Sequence, residues 1–124
     1  ITPYRAQVRL LQNHIKSLQT TEHIGEQIEA GTIHQFQGSE ADVVIFDVVD
    51  NIPRKRLGEL LQGDAGMRLV NVAITRARGK LIVIANRQWY QDCIPLSANP
   101  LLWNLIVKRS PEECLSADSI LSIL

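Results

Sequence analysis

Cysteine is scarce in this chain of 124 residues. The two cysteines, Cys93 and Cys114, are too few and too isolated for a disulfide framework or a zinc site. Neither cysteine stands in a pattern that indicates catalysis. A reducing, cytoplasmic setting is therefore the default expectation.

Long apolar runs are missing as well. No run approaches the roughly 18 residues of a membrane span, and the start, ITPYRAQ, lacks the charged-then-apolar order of a signal peptide. We therefore expect no membrane partner. The chain opens without methionine on residues typical of the end of a strand, which predicts an N-terminally truncated domain whose first strand is cut.

The chain has no net charge, since 13 Lys and Arg residues balance 13 Asp and Glu residues. This balance argues against a domain that binds nucleic acid by electrostatic attraction alone. The distribution is uneven, however: residues 21–53 hold seven acidic residues and no Lys or Arg, whereas residues 54–87 hold eight basic residues against Glu59 and Asp64. A basic surface would suit a phosphate-bearing ligand. On the charges alone, two solvated faces without any ligand are an equally good explanation.

The familiar catalytic loops are also absent. The sequence contains no GxxxxGK[ST] phosphate loop, no HExxH, no GxSxG and no CxxC pair. Self-contained ATP hydrolysis is therefore excluded by any familiar route. His14 and His23 have no carboxylate or cysteine at ligand spacing and are interpreted as surface residues, whereas His34 stands beside a polar turn.

The composition that remains, with 45% hydrophobic and 21% charged residues, is ordinary for one globular domain with a real core. Apolar spacing predicts alternating helices and strands, and this order is typical of an α/β three-layer sandwich with a mainly parallel sheet. The predicted elements are a helix after Pro3 that ends near Leu18, strands at Ile28–Ile33 and Val43–Val49, a helix from Met67 to Arg78 stopped by Gly79, a strand at Leu81–Ala85, and helices at Arg87–Cys93 and Pro100–Lys108.

Two details of this prediction concern the middle of the chain. The run Val43–Val49 is continuously apolar, so we expect it to be buried on both faces, as parallel strands are. The segment Asn51–Gly66 holds a proline, three glycines and the run Arg-Lys-Arg at positions 54–56. We interpret it as an irregular, mobile basic segment with one short helix at Leu57–Leu61.

A polar turn between two apolar runs is the first candidate site. In GTIHQFQGSEADVVIFDVV, residues 31–49, the turn places Gln37, Gly38, Ser39 and Glu40 at a strand edge. Strand edges are where α/β proteins place ligand chemistry.

A second candidate site is RLVNVAITRAR, residues 68–78. Arg76 and Arg78 are expected to project from the end of a helix beside a buried strand. Such a cationic pair suits charge stabilisation on a phosphoryl group. A surface arginine pair that balances the acidic half of the chain is the alternative interpretation.

Three segments of the sequence resemble motifs of a known family. ITPYRAQ at residues 1–7, TIHQFQGSEADVVI at residues 32–45 and RLVNVAITRAR at residues 68–78 are similar to motifs IV, V and VI of superfamily 1 helicases, in the order and spacing of the second RecA-like motor domain. The closest likeness is to the Upf/Nam-like branch, superfamily 1B. The resemblance covers residues 1 to about 87 and implies a three-layer α/β/α RecA-like fold of the P-loop NTPase type, with the motor domain at residues 1–110 and a tail at 111–124.

The resemblance also implies roles for individual residues. Arg76 matches the motif VI arginine that reaches the γ-phosphate of ATP, so it is the predicted catalytic residue. The implied nucleotide-side positions are Gln37, Gly38 and Glu40. The implied positions along single-stranded nucleic acid are Thr2, Tyr4, Gln7, Thr32 and His34.

The other parts of the helicase that the resemblance implies are not in this sequence. ATP would bind between two RecA-like domains, and the first motor domain would supply the Walker loop and the Mg²⁺ ligands. The chain alone is therefore expected to be inactive, and its implied partners are that first domain and single-stranded DNA or RNA. A non-catalytic nucleic-acid or protein docking module with the same fold remains the alternative. A freestanding small-ligand enzyme would need its own phosphate loop.

Overall fold

Four parallel segments lie side by side in the computed structural model of the chain, which describes residues 1–22, 28–116 and 118. Strands β1 (Ala41–Asp47) and β2 (Ala77–Ile84) pair in parallel. Residues 1–2 lie on the other side of β1, where the Ile1 ammonium donates to the Ile45 carbonyl at 2.7 Å and the Asp47 N–H donates to the Ile1 carbonyl at 2.9 Å. Thr2 in turn bridges Thr32 in parallel. The order across the sheet is therefore residues 31–33, residues 1–2, β1 and β2.

Helices connect these segments on opposite sides of the sheet. Helix α1 (Arg5–Glu22) leads from residues 1–2 to residues 31–33, and helix α2 (Gly63–Ile74) leads from β1 to β2. From α1, the Gln7 amide donates to Asp47 at 2.7 Å. Phe46, which precedes Asp47 on β1 and points to the other face, is buried with α2 residues in the main core. Since successive strand residues point to opposite faces, α1 and α2 cover different faces. The α/β/α three-layer class is confirmed.

The main core lies on the α2 side of the sheet. Helices α3 (Arg87–Cys93) and α4 (Pro100–Val107) complete it, and both predicted helices are confirmed, α4 ending one residue early. Each has an asparagine N-cap: the Asn86 side chain accepts from the Trp89 N–H and the Asn99 side chain from the Leu102 N–H, both at 3.0 Å. The largest fully buried apolar side chains of this core are those of Ile33, Phe46, Val48, Leu61, Val70, Tyr90 and Leu102.

The prediction that the β1 run is buried on both faces is wrong. Val44 and Phe46 are 4% and 0% exposed, whereas Val43 and Ile45 are 53% and 49% exposed. The reason is the two-residue period of a strand: the described part of the chain covers the α2 face of β1 at Val44 and Phe46, but the α1 face only at the Asp47 end. Ile82 and Ile84 of β2 are also exposed.

Several predicted boundaries are also wrong. Helix α1 runs on to Glu22, and the hydroxyls of Thr20 and Thr21 donate to the carbonyls of Lys16 and Ser17 within its last turn. The predicted strand at Ile28–Ile33 is reduced to the single bridge at Thr32. The predicted helix at Leu57–Leu61 is a 3₁₀ turn over Glu59–Leu61.

The predicted helix end at Arg78 and Gly79 is wrong as well. Helix α2 ends at Ile74 with Thr75 as its C-cap, and β2 already begins at Ala77. The Thr75 hydroxyl donates to the Asn71 carbonyl at 2.9 Å, and the Ala41 N–H donates to the Arg76 carbonyl at 2.9 Å. These bonds close the helix and draw Arg76 toward β1, which places Arg78 in a strand. Among the described helices, none is long and apolar enough to cross a membrane.

Candidate functional site at the amino edge of the sheet

The candidate site lies where β1 and β2 begin. Ser39 and Glu40 lead into β1, and Arg76 leads into β2. Because the two strands are parallel, these residues meet at one edge of the sheet, the amino edge. The predicted position of the polar turn at a strand edge is therefore confirmed. Open α/β sheets usually place ligands at the opposite, carboxyl edge.

The turn before β1 is held by local hydrogen bonds. The Thr32 carbonyl accepts from the Gln35 N–H at 3.1 Å, and the Gln35 side chain accepts from the Thr32 N–H at 2.7 Å. Gly38 closes the turn with φ +87, a conformation that favours glycine because other residues have a Cβ clash there. The side chain that ties the turn together is thus Gln35, while Gln37 contributes its N–H to the His34 carbonyl at 3.3 Å.

Arg76 joins this turn to the end of α2. Its Nε donates to the Val72 carbonyl at 3.1 Å, its Nη1 to the Ser39 carbonyl at 3.1 Å, and its Nη2 to the Thr75 hydroxyl at 3.2 Å. A guanidinium has five N–H donors. Three are used here, so one remains on each terminal nitrogen. The Arg76 head group is therefore held in one orientation with a two-donor fork left for an external anion.

Arg78 behaves differently from Arg76. Its Nη2 lies 2.8 Å from an Asp42 carboxylate oxygen, with the two side chains 58% and 83% exposed. Exposed ion pairs of this kind contribute about 0 to 1 kcal/mol. Arg78 therefore fits the alternative interpretation, in which a surface arginine pairs with a residue of the acidic half of the chain. Arg76 forms no ion pair with a carboxylate in the described part of the chain.

A groove of about 700 Å³ runs along this edge. Its polar lining residues are Glu29, Ser39, Glu40, Asp42, Arg76 and Arg78. The rest of its lining is largely apolar, with Ile1, Ile28, Phe36, Val43, Val44 and Ile45. Gln37 and Gly38 lie on the exposed surface beside the groove.

The side chains predicted along nucleic acid are divided between surface and interior. His34 is exposed, and Tyr4 and Gln7 are half-buried. Thr2 and Thr32 are 0% and 8% exposed, so a direct contact from either hydroxyl to a passing strand is not available in this structure. The backbone of Thr2 instead joins two neighbouring segments, donating to the Gly31 carbonyl and accepting from the Ile33 N–H, each at 3.2 Å.

Tyr4 and Gln7 point toward the carboxyl end of β1. The Tyr4 hydroxyl donates to both Asp50 carboxylate oxygens, at 2.9 and 3.0 Å. Burial and this hydrogen bond raise the pKa of Tyr4 above its ordinary value. The structure therefore places Tyr4 and Gln7 at the carboxyl edge of the sheet, away from Arg76 and Glu40 at the amino edge.

Comparison with known proteins agrees with this arrangement of motifs. A family described as an AAA domain matches residues 1–88. The chain belongs to this family, and within it to the Upf/Nam-like branch of the superfamily 1 helicases.

Three curated relatives show how far the likeness extends. The chain is 38% identical over 93 residues to DNA polymerase alpha-associated DNA helicase A of Saccharomyces cerevisiae, covering 75% of this chain and 12% of that protein. It is 34% identical over 88 residues to Helicase sen1 of Schizosaccharomyces pombe, covering 71% and 5%. It is 33% identical over 110 residues to Regulator of nonsense transcripts 1 of Dictyostelium discoideum, covering 88% and 7%. The chain thus spans about a tenth or less of the length of these relatives.

One residue of the helicase domain escaped the sequence interpretation. Asp50 is 5% exposed and accepts hydrogen bonds from the Tyr4 hydroxyl and from the Gly58 N–H. A carboxylate directly after a buried strand was the available signal, since ligand-facing groups often follow parallel strands. The described residues include no group of three or more His, Cys, Asp or Glu side chains placed to hold a metal ion.

Proposed function

We propose that this helicase domain is the second RecA-like motor of an ATP-dependent DNA or RNA helicase, with Arg76 as its arginine finger. The observation that carries the proposal is the orientation of Arg76. Its guanidinium is fixed to the Ser39 carbonyl of the motif V turn and keeps one N–H on each terminal nitrogen. A fixed cationic fork of this kind stabilises the charge that develops on a transferring phosphoryl group.

In this proposal the amino edge is one wall of a cleft. ATP lies between this wall and the first motor domain of the same chain, which holds the Walker loop and Mg²⁺. The bound Mg²⁺ supplies charge neutralisation on the phosphate oxygens. Arg76 contributes the fork, and Gln37, Gly38 and Glu40 border the nucleotide. On this side the donors for an anion are those of Arg76, which lines the groove together with the carboxylates Glu29 and Glu40.

The nucleic-acid track in this proposal follows the other predicted group. His34 supplies an exposed imidazole, whereas Tyr4 and Gln7 lie near the start of α1 with their donors bonded to Asp50 and Asp47. Thr2 and Thr32 act through their backbone by holding adjacent segments of the sheet together. Loss of the γ-phosphate would open the cleft and shift these residues along the nucleic-acid strand. Both cysteines are free. Because thiols stay reduced in the cytoplasm, we include a cytoplasmic location in the same proposal.

The test compares Arg76→Ala with wild type in the full-length helicase. Removing an arginine finger lowers kcat for phosphoryl transfer by about 10³ to 10⁵. We expect this loss in the ATPase rate stimulated by single-stranded nucleic acid, with ATP affinity retained. Arg9→Ala is the control because Arg9 lies exposed on α1, away from the amino edge, and its rate should equal that of wild type.

Two outcomes would contradict the proposal. An Arg76→Ala protein that hydrolyses ATP at the wild-type rate would remove Arg76 from the reaction. A full-length protein that has a complete Walker loop but no hydrolysis stimulated by nucleic acid would favour a docking module. The 124-residue chain alone should show no ATPase activity.

A further inference from the structure

The end of helix α2 contains a second side chain that bears on the orientation of Arg76. Thr75 is the C-cap of α2 and immediately precedes Arg76. Its hydroxyl oxygen lies 2.9 Å from the Asn71 carbonyl, 3.1 Å from the Val72 carbonyl and 3.2 Å from Arg76 Nη2. The same oxygen therefore contacts both the last turn of the helix and the guanidinium.

The direction of these hydrogen bonds is fixed by the chemistry of the groups. A guanidinium has donors only, so the Thr75 hydroxyl accepts from Arg76 Nη2. The hydroxyl has one hydrogen of its own, and its two other described partners are carbonyls, which only accept. It therefore donates its hydrogen to the helix and presents a lone pair to Arg76.

Arg76 is held at three points, and Thr75 supplies the third. Nε donates to the Val72 carbonyl, and Nη1 donates to the Ser39 carbonyl. A planar guanidinium held at two points alone can still tilt about the line that joins them. The bond from Nη2 to Thr75 removes this tilt, because three points fix a plane. Nη2 also carries one of the two free N–H groups, so this bond sets the direction of that donor.

All three acceptors of Arg76 are neutral. Two are backbone carbonyls, and the third is the Thr75 hydroxyl. The carboxylates of Glu29 and Glu40 line the same groove, yet neither forms an ion pair with Arg76 in the part of the chain that the structure describes. A carboxylate acceptor would compensate the positive charge that acts on a phosphoryl group. Neutral acceptors orient the guanidinium and leave its charge to an external anion.

Thr75 is also the anchor that a substitution can remove cleanly. The other two acceptors belong to the backbone and are present whichever side chains stand at those positions. Thr75 is exposed, and substitutions at exposed positions usually change stability little. Loss of the hydroxyl therefore tests the orientation of Arg76 in a folded protein.

We propose that Thr75 is the positioning residue of Arg76, and that its hydroxyl holds the guanidinium in the plane from which both free N–H groups reach the transferring phosphoryl group. Thr75 does not touch ATP in this proposal and acts only through Arg76. The proposal rests on the proposed function, in which Arg76 is the arginine finger, and deepens it. Donors that are oriented in advance need no reorganisation during the reaction, so their orientation contributes to the rate.

The test compares Thr75→Val with Thr75→Ser in the full-length helicase. Valine keeps the β-branched shape and loses the hydroxyl, whereas serine keeps the hydroxyl. We expect Thr75→Val to lower kcat for ATP hydrolysis stimulated by single-stranded nucleic acid about tenfold, the effect of one lost hydrogen bond to a charged group, with KM for ATP unchanged. Thr75→Ser keeps the acceptor and should stay within about threefold of the wild-type rate.

A transition-state analogue gives a readout that does not depend on turnover. The affinity of Thr75→Val for ADP with aluminium fluoride should be about tenfold weaker than that of wild type, whereas its affinity for ADP alone should equal that of wild type. A purely structural role for Thr75 as a helix C-cap would lower Tm and leave the ratio of these two affinities unchanged.

The matched control is Thr20→Val. The Thr20 hydroxyl donates to the Lys16 carbonyl at 2.9 Å, which is the same bond across four residues that Thr75 makes to Asn71. Thr20 is likewise exposed at the end of a helix, and no described arginine donates to its hydroxyl. Its loss should leave kcat and both affinities at the wild-type values.

A double-mutant cycle separates this proposal from the proposed function. In an Arg76→Ala background, Thr75→Val should lower kcat no further, because the side chain that Thr75 positions is gone. If Arg76→Ala keeps the wild-type rate, the proposed function fails. If Arg76→Ala is slow but Thr75→Val keeps the wild-type rate and analogue affinity, only the positioning proposal fails. An equal loss from Thr75→Val with and without Arg76 would also contradict the positioning proposal alone.

Discussion

The same chemical change at two tyrosines should have opposite effects on stability. Tyr4 and Tyr90 both lie near Asp50, and each becomes phenylalanine by loss of one hydroxyl. The Tyr4 hydroxyl donates to the Asp50 carboxylate at 2.9 Å. The Tyr90 hydroxyl is fully buried and has no hydrogen-bond partner among the described residues. The first hydroxyl should therefore stabilise the fold, and the second should destabilise it.

The magnitudes follow from these contacts. A hydrogen bond to a charged group contributes about 1.5 to 3 kcal/mol, so Tyr4→Phe should lower the free energy of unfolding by about 2 kcal/mol. A buried unsatisfied polar group costs about 1 to 3 kcal/mol, so Tyr90→Phe should raise the free energy of unfolding by about 1 to 2 kcal/mol. The ring of Tyr90 stays in its edge-to-face contact with Trp89, at a centroid distance of 5.0 Å, in the variant.

Urea unfolding followed by tryptophan fluorescence measures both changes, because Trp89 is only 2% exposed in the folded chain. The two variants should differ by about 3 to 4 kcal/mol with the same m-value. A Tyr90→Phe protein that is less stable than wild type by 1 kcal/mol or more would refute the reasoning. That result would mean that the Tyr90 hydroxyl is hydrogen-bonded in solution.

Two further predictions concern stability. Gly66→Ala should destabilise the chain by about 2 kcal/mol, because overpacking against the Leu61 backbone outweighs the roughly 1 kcal/mol gained in helix propensity; the exposed control Ala65→Gly should cost only about 1 kcal/mol in the same urea assay. Burial raises the pKa of Tyr4 and of Tyr90, the chain's only tyrosines, so both stay protonated in the folded state while the unfolded chain ionises near pH 10. Stability should therefore be fully present below about pH 10 and should fall as the pH rises above it. Tyrosinate absorbance that appears near pH 10 without unfolding would contradict this expectation.

The two edges of the sheet carry different groups of residues in the proposed motor. Arg76 and the turn that ends at Gly38 lie at the amino edge, where the groove faces a nucleotide in the proposed function. Asp50 and the loop of residues 54–60 lie at the carboxyl edge, where Asp50 accepts from the Tyr4 hydroxyl and the Gly58 N–H. Strand β1 connects the two, since Ser39 precedes it and Asp50 follows it.

Much of the fold was determined by local sequence pattern. The α/β class, the helices at Arg87–Cys93 and Pro100–Lys108 and the strand within the run Val43–Val49 all follow from the local apolar pattern. These features depend on residues a few positions apart, so the sequence contains their causes. The three helicase-like segments were recognisable for the same reason.

Tertiary structure decided the rest, because the deciding contacts join distant residues. Arg76 acquires its orientation from the Ser39 carbonyl, 37 positions away in the sequence. Thr2 is buried because residues 31–33 and β1 lie on either side of its segment, so an expected surface donor became part of the sheet. Asp50 turns inward through the strained backbone at Val49 and meets Tyr4, 46 positions away. No local pattern contains these pairings: the sequence by itself determined which motifs are present, and only the packed sheet decided which of their side chains are buried and which are exposed.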